Sequence, residues 1–182
     1  MIERFLTQAK RRRRVRRRSR TVLALTLFGL GLIGLAALAR PAPRLVWNAS
    51  ASAPIGLYRV LPGKPIRGDL VLVRTPSSVR QLAAERGYLP QNVPLVKRVA
   101  ALDGDIVCVA GDVISVNGRV AAERLARDRL GRPLPAWTGC QTLEPDDVFL
   151  LMEDVTGSFD GRYFGPIPTA AIIGRLVPLW VE

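Results

Sequence analysis

The sequence predicts a mainly β protein, a compact antiparallel β-barrel or sandwich that follows one N-terminal transmembrane helix. Two observations predict this class. A long uncharged apolar run stands near the N-terminus, and beyond residue 55 short apolar runs of strand length alternate with Gly, Pro and Asp turns. With 182 residues and 48% apolar content, the chain has enough material for one modest core once the apolar run is set aside.

The first 20 residues form a strongly basic arm. They hold ten Lys or Arg and one acid, a net charge of +9, whereas the other 162 residues add only +3 to the total of +12. An arginine-rich arm could bind nucleic-acid phosphates. Here it directly precedes an apolar run, and positive charge before a span is typical of the cytoplasmic side of a membrane. We therefore predict a cytoplasmic arm over 1–20 and no nucleic-acid partner, with DNA tethering as the alternative.

Residues 21–39 contain no charged side chain and are dominated by Leu, Ala and Gly. As a helix they would span about 28 Å, close to the roughly 30 Å hydrocarbon core of a bilayer. A cleaved signal peptide is the alternative, because residues 37–39 fit a small-x-small cleavage site. The apolar run exceeds the usual signal-peptide length, however, and Arg40-Pro41 is a poor start for a mature chain. We predict a retained anchor over 21–40 and a domain over 41–182 across the membrane.

The domain is predicted to consist of short strands. After a stiff linker at 41–44, residues 45–47 are expected near the bilayer surface, where an indole is favourable. Strands are expected at 56–61, 69–74, 94–101, 105–110, 113–116, 119–121, 147–152 and 172–181. One soluble helix is expected at 77–86, with serines at its start and Gly87 behind it. Asn117-Gly118 is a strong hairpin signal, and the polar segment 122–138 is expected to be a surface loop.

The cysteine and histidine content restricts the chemistry. If the topology holds, Cys108 and Cys140 face an oxidising compartment. A disulfide between them would close a loop of about thirty residues, worth about 3–4 kcal/mol in the chain-entropy model, and two unconnected buried thiols are the alternative. Histidine is absent, which excludes the Ser-His-Asp triad, the Cys-His dyad and histidine metal ligands. We predict no metal and no other cofactor; a hydroxyl nucleophile would need another base, usually a desolvated lysine.

Two residues could form such a pair. Ser52 lies in a run of small residues just before Pro54, where the backbone can turn and present a hydroxyl; an ordinary Ser/Ala linker is the alternative. Of three lysines, only Lys97 stands inside an apolar strand pattern, with Leu95 and Val99 on the same face. An ammonium on a packed face is desolvated, so its pKa falls and it can act as a base near physiological pH. A lysine that extends from an edge strand into solvent is the alternative.

A third segment, residues 157–166, combines a serine with two charged residues. Asp160 and Arg162 are expected on one face at strand spacing, where they can pair. Ser158 shares that face and could hold a neighbouring lysine in place. A simple turn with an ion pair is the alternative.

Together these segments resemble the type I signal peptidase family. The matching boxes, in order, are Ser-x-Ser before a proline at 50–54, an apolar-flanked Lys-Arg-Val at 97–99 followed by Gly-Asp at 104–105, and Ser-x-Asp-x-Arg-Tyr-Phe-Gly-Pro at 158–166. The form Asn-x-Ser-x-Ser-x-Pro-x-Gly-Leu-Tyr at 48–58, the single anchor and the small size resemble its TraF branch. Members of that branch are conjugative-transfer peptidases that mature pilin subunits.

The resemblance implies a serine peptidase of signal-peptidase fold in a bacterial inner membrane, with its catalytic domain in the periplasm. Ser52 matches the nucleophile and Lys97 the general base. Ser50 matches the serine whose hydroxyl joins the Ser52 N–H in the oxyanion hole, where one donor is typically worth around 3–4 kcal/mol. Ser158 matches the residue that orients the lysine.

Asp160 and Arg162 match a supporting pair, and in the TraF branch the aspartate is also regarded as important for activity. Ala53 stands where general signal peptidases usually carry Met, Pro54 comes one residue early, and Gly161 replaces a frequent Ser. These departures weaken the match to a housekeeping signal peptidase.

The implied partners are a propilin or preprotein substrate, the inner membrane, and conjugative transfer or pilus assembly proteins. The resemblance also makes a cyclic pilin product plausible. A general type I signal peptidase and a catalytically inactive assembly factor are the alternatives.

Overall fold

The structure, a computed structural model, describes residues 2–39 and 43–182. The chain divides into an N-terminal unit that precedes residue 43 and a second unit, Pro43–Glu182. The N-terminal unit contains helix α1 (Ile2–Ala39), within which Arg18–Ala36 is long and apolar enough to cross a membrane. The large apolar side chains from Val22 to Leu38 are exposed, as a lipid-facing helix requires. Residues 40–42 of the predicted anchor and linker lie outside the described residues.

Residues 43–182 fold mainly as β-structure. The strands are β1 (Leu45–Asn48), β2 (Gly56–Leu61), β3 (Leu70–Val73), β4 (Leu95–Ala101), β5 (Ile106–Ala110), β6 (Val113–Val116), β7 (Arg119–Glu123), β8 (Gly139–Thr142), β9 (Asp147–Leu150), β10 (Ile167–Pro168) and β11 (Ile172–Val181). The helices of this unit are α2 (Ser77–Glu85) and α3 (Gly161–Phe164), with a 3₁₀ turn at Thr169–Ala171. The predicted mainly β class is confirmed.

The strands form two sheets, and every pairing among them is antiparallel. Seven strands form the larger sheet in the order β1-β2-β11-β3-β4-β9-β10, and four form the smaller one in the order β7-β6-β5-β8. One buried cluster, which includes Ala101, Val107 and Phe149, joins the two sheets. A second and a third cluster cover β3 and β4, and the third contains Ala53, Tyr58 and Met152. The serine-rich loop therefore lies directly on a packed core.

The β1–β2 hairpin sets the position of that loop. Asn48 of β1 pairs with Gly56 of β2, so residues 49–55 form the connection between the two strands. Gly56 has a φ of +152°, and a Cβ at this position would lie 2.1 Å from the carbonyl oxygen of Trp180. Only glycine fits this close approach between the hairpin and the end of β11.

Several predicted elements match the structure closely. The strands predicted at 56–61, 113–116 and 172–181 have the observed bounds, and the predicted helix at 77–86 is α2. Asn117 and Gly118 have φ values of 51° and 78°, as the two central residues of a type I′ hairpin turn require. These elements depend on local turn chemistry and regular apolar spacing, both of which are visible in the sequence.

Other elements differ from the prediction. Strand β7 continues to Glu123, two residues beyond its predicted end. The segment 124–138, all of which the structure describes, forms no helix or multi-residue strand, as predicted for a surface loop, but it makes specific contacts. Arg127 and Pro133 form an isolated β-bridge, and Trp137 Nε1 donates a hydrogen bond to the carbonyl of Gly161 at 2.9 Å. This segment therefore packs on α3. The polar, Arg-rich composition of the segment does not predict these contacts. They are hydrogen bonds of the backbone and of an indole, and such bonds leave no apolar pattern in the sequence.

The two cysteines lie on neighbouring strands of the smaller sheet. Cys108 of β5 is directly opposite Cys140 of β8 in the strand register. They form a disulfide with an S–S distance of 2.05 Å. The bridge crosses 32 residues of sequence and fixes the edge strand β8, whose four residues are all exposed.

Candidate active site

Residues 49–55 present two serine hydroxyls side by side. The Oγ atoms of Ser50 and Ser52 are 3.0 Å apart, and the Ser52 N–H donates to Ser50 Oγ at 3.3 Å. The Ala53 N–H donates to the Ser50 carbonyl, which closes a tight turn around Ser52. Ala53 is only 5% exposed because it packs against Tyr58 and Met152. The buried Ala53 side chain thus anchors the turn, and the neighbouring Ser52 side chain is half-buried.

Lys97 lies in the middle of β4 and is 3% exposed. Its backbone pairs with Val71 of β3, in the central part of the larger sheet. The side-chain Nζ donates to Ser52 Oγ at 3.2 Å and to Ser158 Oγ at 2.8 Å. The structure thus brings together three residues that are 45 and 61 positions apart in the chain.

Burial lowers the pKa of Lys97 from 10.5 to about 8. The negative charge of Asp160 acts in the opposite direction, and the positive charge of Arg162 adds to the decrease. A lysine with this pKa is partly neutral near physiological pH, so its nitrogen has a free lone pair. A neutral amine 3.2 Å from a serine hydroxyl is within reach of the hydroxyl proton.

This pKa predicts how activity depends on pH. The neutral form of Lys97 increases as pH rises through about 8, so kcat/KM is expected to increase about tenfold between pH 7 and 9. The apparent pKa should lie far below that of an ordinary lysine and well above that of a histidine. A pH–rate profile of peptide cleavage measures it. A profile that is flat between pH 7 and 9 would contradict a lysine base.

The segment after β9 holds Ser158, Asp160 and Arg162, but in a different local structure from the one predicted. Asp160 caps the N-terminus of α3, and its Oδ1 accepts from the Arg162 N–H at 3.2 Å. The prediction of strand spacing is therefore wrong, although the two charged residues are neighbours. Gly161 explains the compact turn, since a Cβ there would lie 2.6 Å from the Leu150 carbonyl oxygen.

Asp160 and Arg162 are both fully buried. Arg162 Nε lies 3.5 Å from Asp160 Oδ1, a contact between charges without hydrogen-bond geometry. The Arg162 guanidinium instead donates to the carbonyls of Met152, Val155 and Thr156. Burial raises the pKa of Asp160, against the opposing effects of the Arg162 and Lys97 charges and the Met152 N–H. The pair therefore holds in place the backbone of residues 152–156.

Two further residues hold the serine loop and were not assigned a role from the sequence. The Asn48 side chain bonds to four backbone groups of residues 50–54. Tyr58, fully buried, donates its hydroxyl to the Pro54 carbonyl at 2.7 Å. Both residues belong to the Asn-x-Ser-x-Ser-x-Pro-x-Gly-Leu-Tyr pattern at 48–58. That pattern gives neither of them a role, since it does not show whether their side chains are buried or exposed.

A cleft of about 460 Å³ opens beside Ser52. Its walls come from the serine loop, from Met152–Val155 and from β4 and β7. Charged residues of both signs line it: Arg67, Arg98, Arg119, Glu153 and Asp154. Within residues 2–39 and 43–182, no three acidic, histidine or cysteine side chains are grouped so that they could hold a metal ion. The cleft is large enough to admit several residues of an extended peptide next to the Ser52 hydroxyl.

Comparison with known proteins shows similarity over most of the chain. The family model for signal peptidase, peptidase S26, matches residues 17–180. A probable conjugal transfer protein TraF of Sinorhizobium fredii (strain NBRC 101917 / NGR234) is 39% identical over 138 residues, which cover 70% of this chain and 72% of that protein. The plasmid transfer protein TraF of Escherichia coli is 39% identical over 136 residues, 69% of this chain and 76% of that protein. A signal peptidase I of Enterococcus faecalis V583, whose crystal structure is known, covers 63% of this chain and 98% of its own, with 20% identity and a TM-score of 0.38.

Proposed function

Since this chain belongs to the signal peptidase family, peptidase S26, and to its TraF branch, we propose that Ser52 and Lys97 form its catalytic dyad. The protein is a serine peptidase with a signal-peptidase-like role in conjugal transfer. The observation that carries the proposed dyad is the 3.2 Å contact between Lys97 Nζ and Ser52 Oγ, made by a lysine that is 3% exposed. Ser158 holds the lysine from the other side, at 2.8 Å.

Acylation begins when neutral Lys97 takes the proton of Ser52 as its Oγ attacks the scissile carbonyl. The carbonyl oxygen becomes an oxyanion, which the Ser52 N–H and the Ser50 hydroxyl stabilise by hydrogen bonds. The intermediate then collapses, the peptide C–N bond breaks, and the Lys97 ammonium gives its proton to the leaving amine. The product is an ester between Ser52 and the N-terminal part of the substrate.

Deacylation repeats these steps with a second nucleophile. Lys97, again neutral, takes a proton from water as the water oxygen attacks the ester carbonyl. The bond from the carbonyl carbon to Ser52 Oγ then breaks, the Lys97 ammonium returns its proton to Ser52 Oγ, and the linear product leaves with a free carboxyl group. If the amino group at the substrate's own N-terminus attacks the ester first, an amide bond forms instead. That product is a ring, and its mass is lower than that of the linear product by one water.

We propose a pilin precursor as the substrate because the similar TraF proteins are named for conjugal or plasmid transfer. The proposed location is a bacterial inner membrane, with a cytoplasmic N-terminus and a periplasmic catalytic domain. The basic residues before the apolar stretch of α1 support this orientation. Trp47 and Trp180, which are 53% and 55% exposed with ring centroids 5.6 Å apart, fit a domain close to the lipid headgroups.

Intact-mass measurement of a co-expressed pilin tests this function. A candidate pilin precursor from a conjugative plasmid is expected to become shorter in membranes that contain this protein and to keep its full mass when Ser52→Ala replaces the wild type. A mass that is one water below the linear product would indicate cyclisation, and the exact linear mass would indicate simple trimming. Unchanged full-length precursor in the presence of the wild-type protein would contradict pilin processing.

A general signal peptidase is the competing function, and the same membranes can test it. An ordinary preprotein with an Ala-x-Ala site is expected to remain uncleaved, because Ala53 replaces the Met that general signal peptidases usually carry. Ser78→Ala serves as the matched control, since it makes the same change at an exposed serine outside the site. Cleavage of the preprotein without cleavage of the pilin would reverse the assignment.

A further inference from the structure

The Asn48 side chain makes four hydrogen bonds to the backbone of the serine loop, residues 49–55. Lys97 makes one hydrogen bond to the same loop. Asn48 is the last residue of β1 and is 5% exposed. Its Nδ2 lies 2.9 Å from the Ser50 carbonyl oxygen, 3.1 Å from that of Ala53 and 3.0 Å from that of Pro54. Its Oδ1 accepts from the Ser50 N–H at 3.1 Å. One side chain thus contacts backbone groups on both sides of Ser52.

The loop needs such a partner. Three carbonyl oxygens converge on one point, and they would repel one another there without a donor between them. The Nδ2 of Asn48 has two hydrogens for these three acceptors, so at least one hydrogen is shared. Residues 49–55 form no strand ladder of their own. The carboxamide therefore replaces the hydrogen bonds that a regular strand would supply.

The contacts determine the direction of the Ser52 N–H. The Ser50 carbonyl lies on one side of Ser52 and the Ala53 carbonyl on the other, so holding both oxygens restricts the peptide planes between them. Tyr58 restrains the far end of the loop through the Pro54 carbonyl. An oxyanion donor must be aimed before the reaction, because donors that need to reorient lose most of their effect.

We propose that Asn48 is a positioning residue, which holds the Ser52 N–H beside the Ser50 hydroxyl so that both groups can donate to the developing oxyanion. In this structure the Ser52 N–H donates to Ser50 Oγ at 3.3 Å, and the oxyanion would take the place of that acceptor. This inference depends on the proposed serine–lysine dyad, since it assigns a role within the same reaction. Asn48 has no contact with Lys97 among the hydrogen bonds of the described residues. It takes no part in proton transfer and acts only on the geometry of the loop.

The substitution Asn48→Asp tests this role because it preserves shape and removes both donors. A carboxylate at this position would lie about 3 Å from three carbonyl oxygens and would push them apart. Asn92→Asp is the matched control: it makes the same chemical and charge change at an exposed asparagine outside the site. Both variants are prepared as the full chain in detergent micelles, and circular dichroism and thermal unfolding establish that they are folded.

The readout is acetylation of Ser52 by 4-nitrophenyl acetate, which requires no knowledge of the natural substrate. The ester's acyl carbon bonds to Ser52 Oγ, 4-nitrophenolate leaves, and Lys97 takes the serine proton. Peptide mass spectrometry locates the acetyl group, and Ser52→Ala supplies the background rate. Asn48→Asp is expected to acetylate Ser52 on the order of 100-fold more slowly than the wild type, as a misplacement of about 1 Å can cause. Asn92→Asp should match the wild type.

The pH dependence of the acetylation rate distinguishes two effects of losing Asn48: a misplaced serine loop, and a general loosening of the packing around the site. Because Asn48 acts on the loop and not on the lysine, the midpoint of the pH–rate profile of the uncharged variant Asn48→Ala should stay where it is in the wild type. The pH profile is measured on this variant because the carboxylate of Asn48→Asp would itself raise the pKa of Lys97. A general loosening would hydrate Lys97 and move the midpoint toward 10.5. A folded Asn48→Asp protein with an unchanged rate, or a slow Asn48→Ala protein with a displaced midpoint, would overturn the inference while leaving the dyad intact.

Two further outcomes are also decisive. If the Asp variant does not fold, Asn48→Ala replaces it, because water can enter the vacated space and bind the carbonyls. A tenfold or larger decrease in its Ser52 acetylation rate supports positioning, and a rate equal to the wild type overturns it. If the wild-type protein is not acetylated at Ser52 at all, the proposed dyad fails, and this inference fails with it.

Discussion

Replacing Ser52 with alanine is expected to abolish cleavage, with a decrease in kcat on the order of 10⁶-fold, as in other serine peptidases that lose the nucleophile. Without Oγ no acyl-enzyme can form, and only the weak effect of the oxyanion donors on direct attack by water remains. Quantitative measurement of precursor cleavage in membranes gives this rate. The protein should stay folded, because Ser52 is only half-buried and the core contact of the loop is made by Ala53.

A second serine variant shows whether the nucleophile is assigned correctly. Ser50→Ala retains Ser52 and removes one expected oxyanion donor, so kcat should decrease by about 10²–10³-fold, not to background. Full activity of Ser52→Ala, or a larger loss for Ser50→Ala than for Ser52→Ala, would contradict the assignment of Ser52. Ser78→Ala, at an exposed position, should have the activity of the wild type.

Replacing Lys97 with methionine is expected to decrease kcat to the same order as the loss of Ser52. Methionine has a similar length and shape but no lone pair that can take the Ser52 proton. Lys97→Arg should be equally inactive, since a guanidinium stays protonated at any pH of interest. Because serine and lysine act as a unit, Ser52→Ala combined with Lys97→Met should be no slower than either single variant. Precursor cleavage by the three proteins measures this non-additivity.

Thermal unfolding distinguishes this loss from misfolding. The folded state lowers the pKa of Lys97, so below about pH 8 it carries the cost of a buried charge that the unfolded chain does not. That cost decreases as pH rises from about 8 to the ordinary lysine value of 10.5. Lys97→Met removes it and is expected to be at least as stable as the wild type at pH 7.

The matched control is Lys64→Met, since Lys64 is exposed in a turn between β2 and β3. It should retain full activity, since the lysine that contacts Ser52 is Lys97 and not Lys64. An active Lys97→Met protein would rule out a lysine base in this site.

The fold class was predictable because its signals are local. The alternation of β2, the long apolar run of β11 and the Asn117-Gly118 turn need no information from distant parts of the chain. Strands β1 and β8 were missed for the opposite reason. Strand β1 is formed by its pairing with β2, and β8 is stabilised by β5 and by the Cys108–Cys140 bridge, not by its own composition. Helix α3 was missed because four residues are too few for a periodic signal.

The candidate residues were found by elimination and by resemblance. A chain without histidine and with one lysine in an apolar strand leaves few possibilities for activating a serine. Reasoning from the residues named Ser52, Lys97 and Ser158, and the resemblance to the type I signal peptidase family added Ser50. Neither line of reasoning gave a role to Asn48 or Tyr58, because their hydrogen bonds to the serine loop depend on the path of the backbone. The sequence around an asparagine that precedes a serine-rich turn is the same whether its side chain is buried or exposed.

By itself, the sequence determined which chemistry is possible: a serine hydroxyl with a lysine, no imidazole, and an apolar segment long enough to cross a bilayer. Only the tertiary structure decided whether that chemistry has the geometry it needs. The low pKa of Lys97 arises because the folded domain buries its amine, which contacts Ser52 and Ser158 from distant parts of the chain. Desolvation is a property of contacts between residues that are far apart in the chain, so no local pattern can specify it.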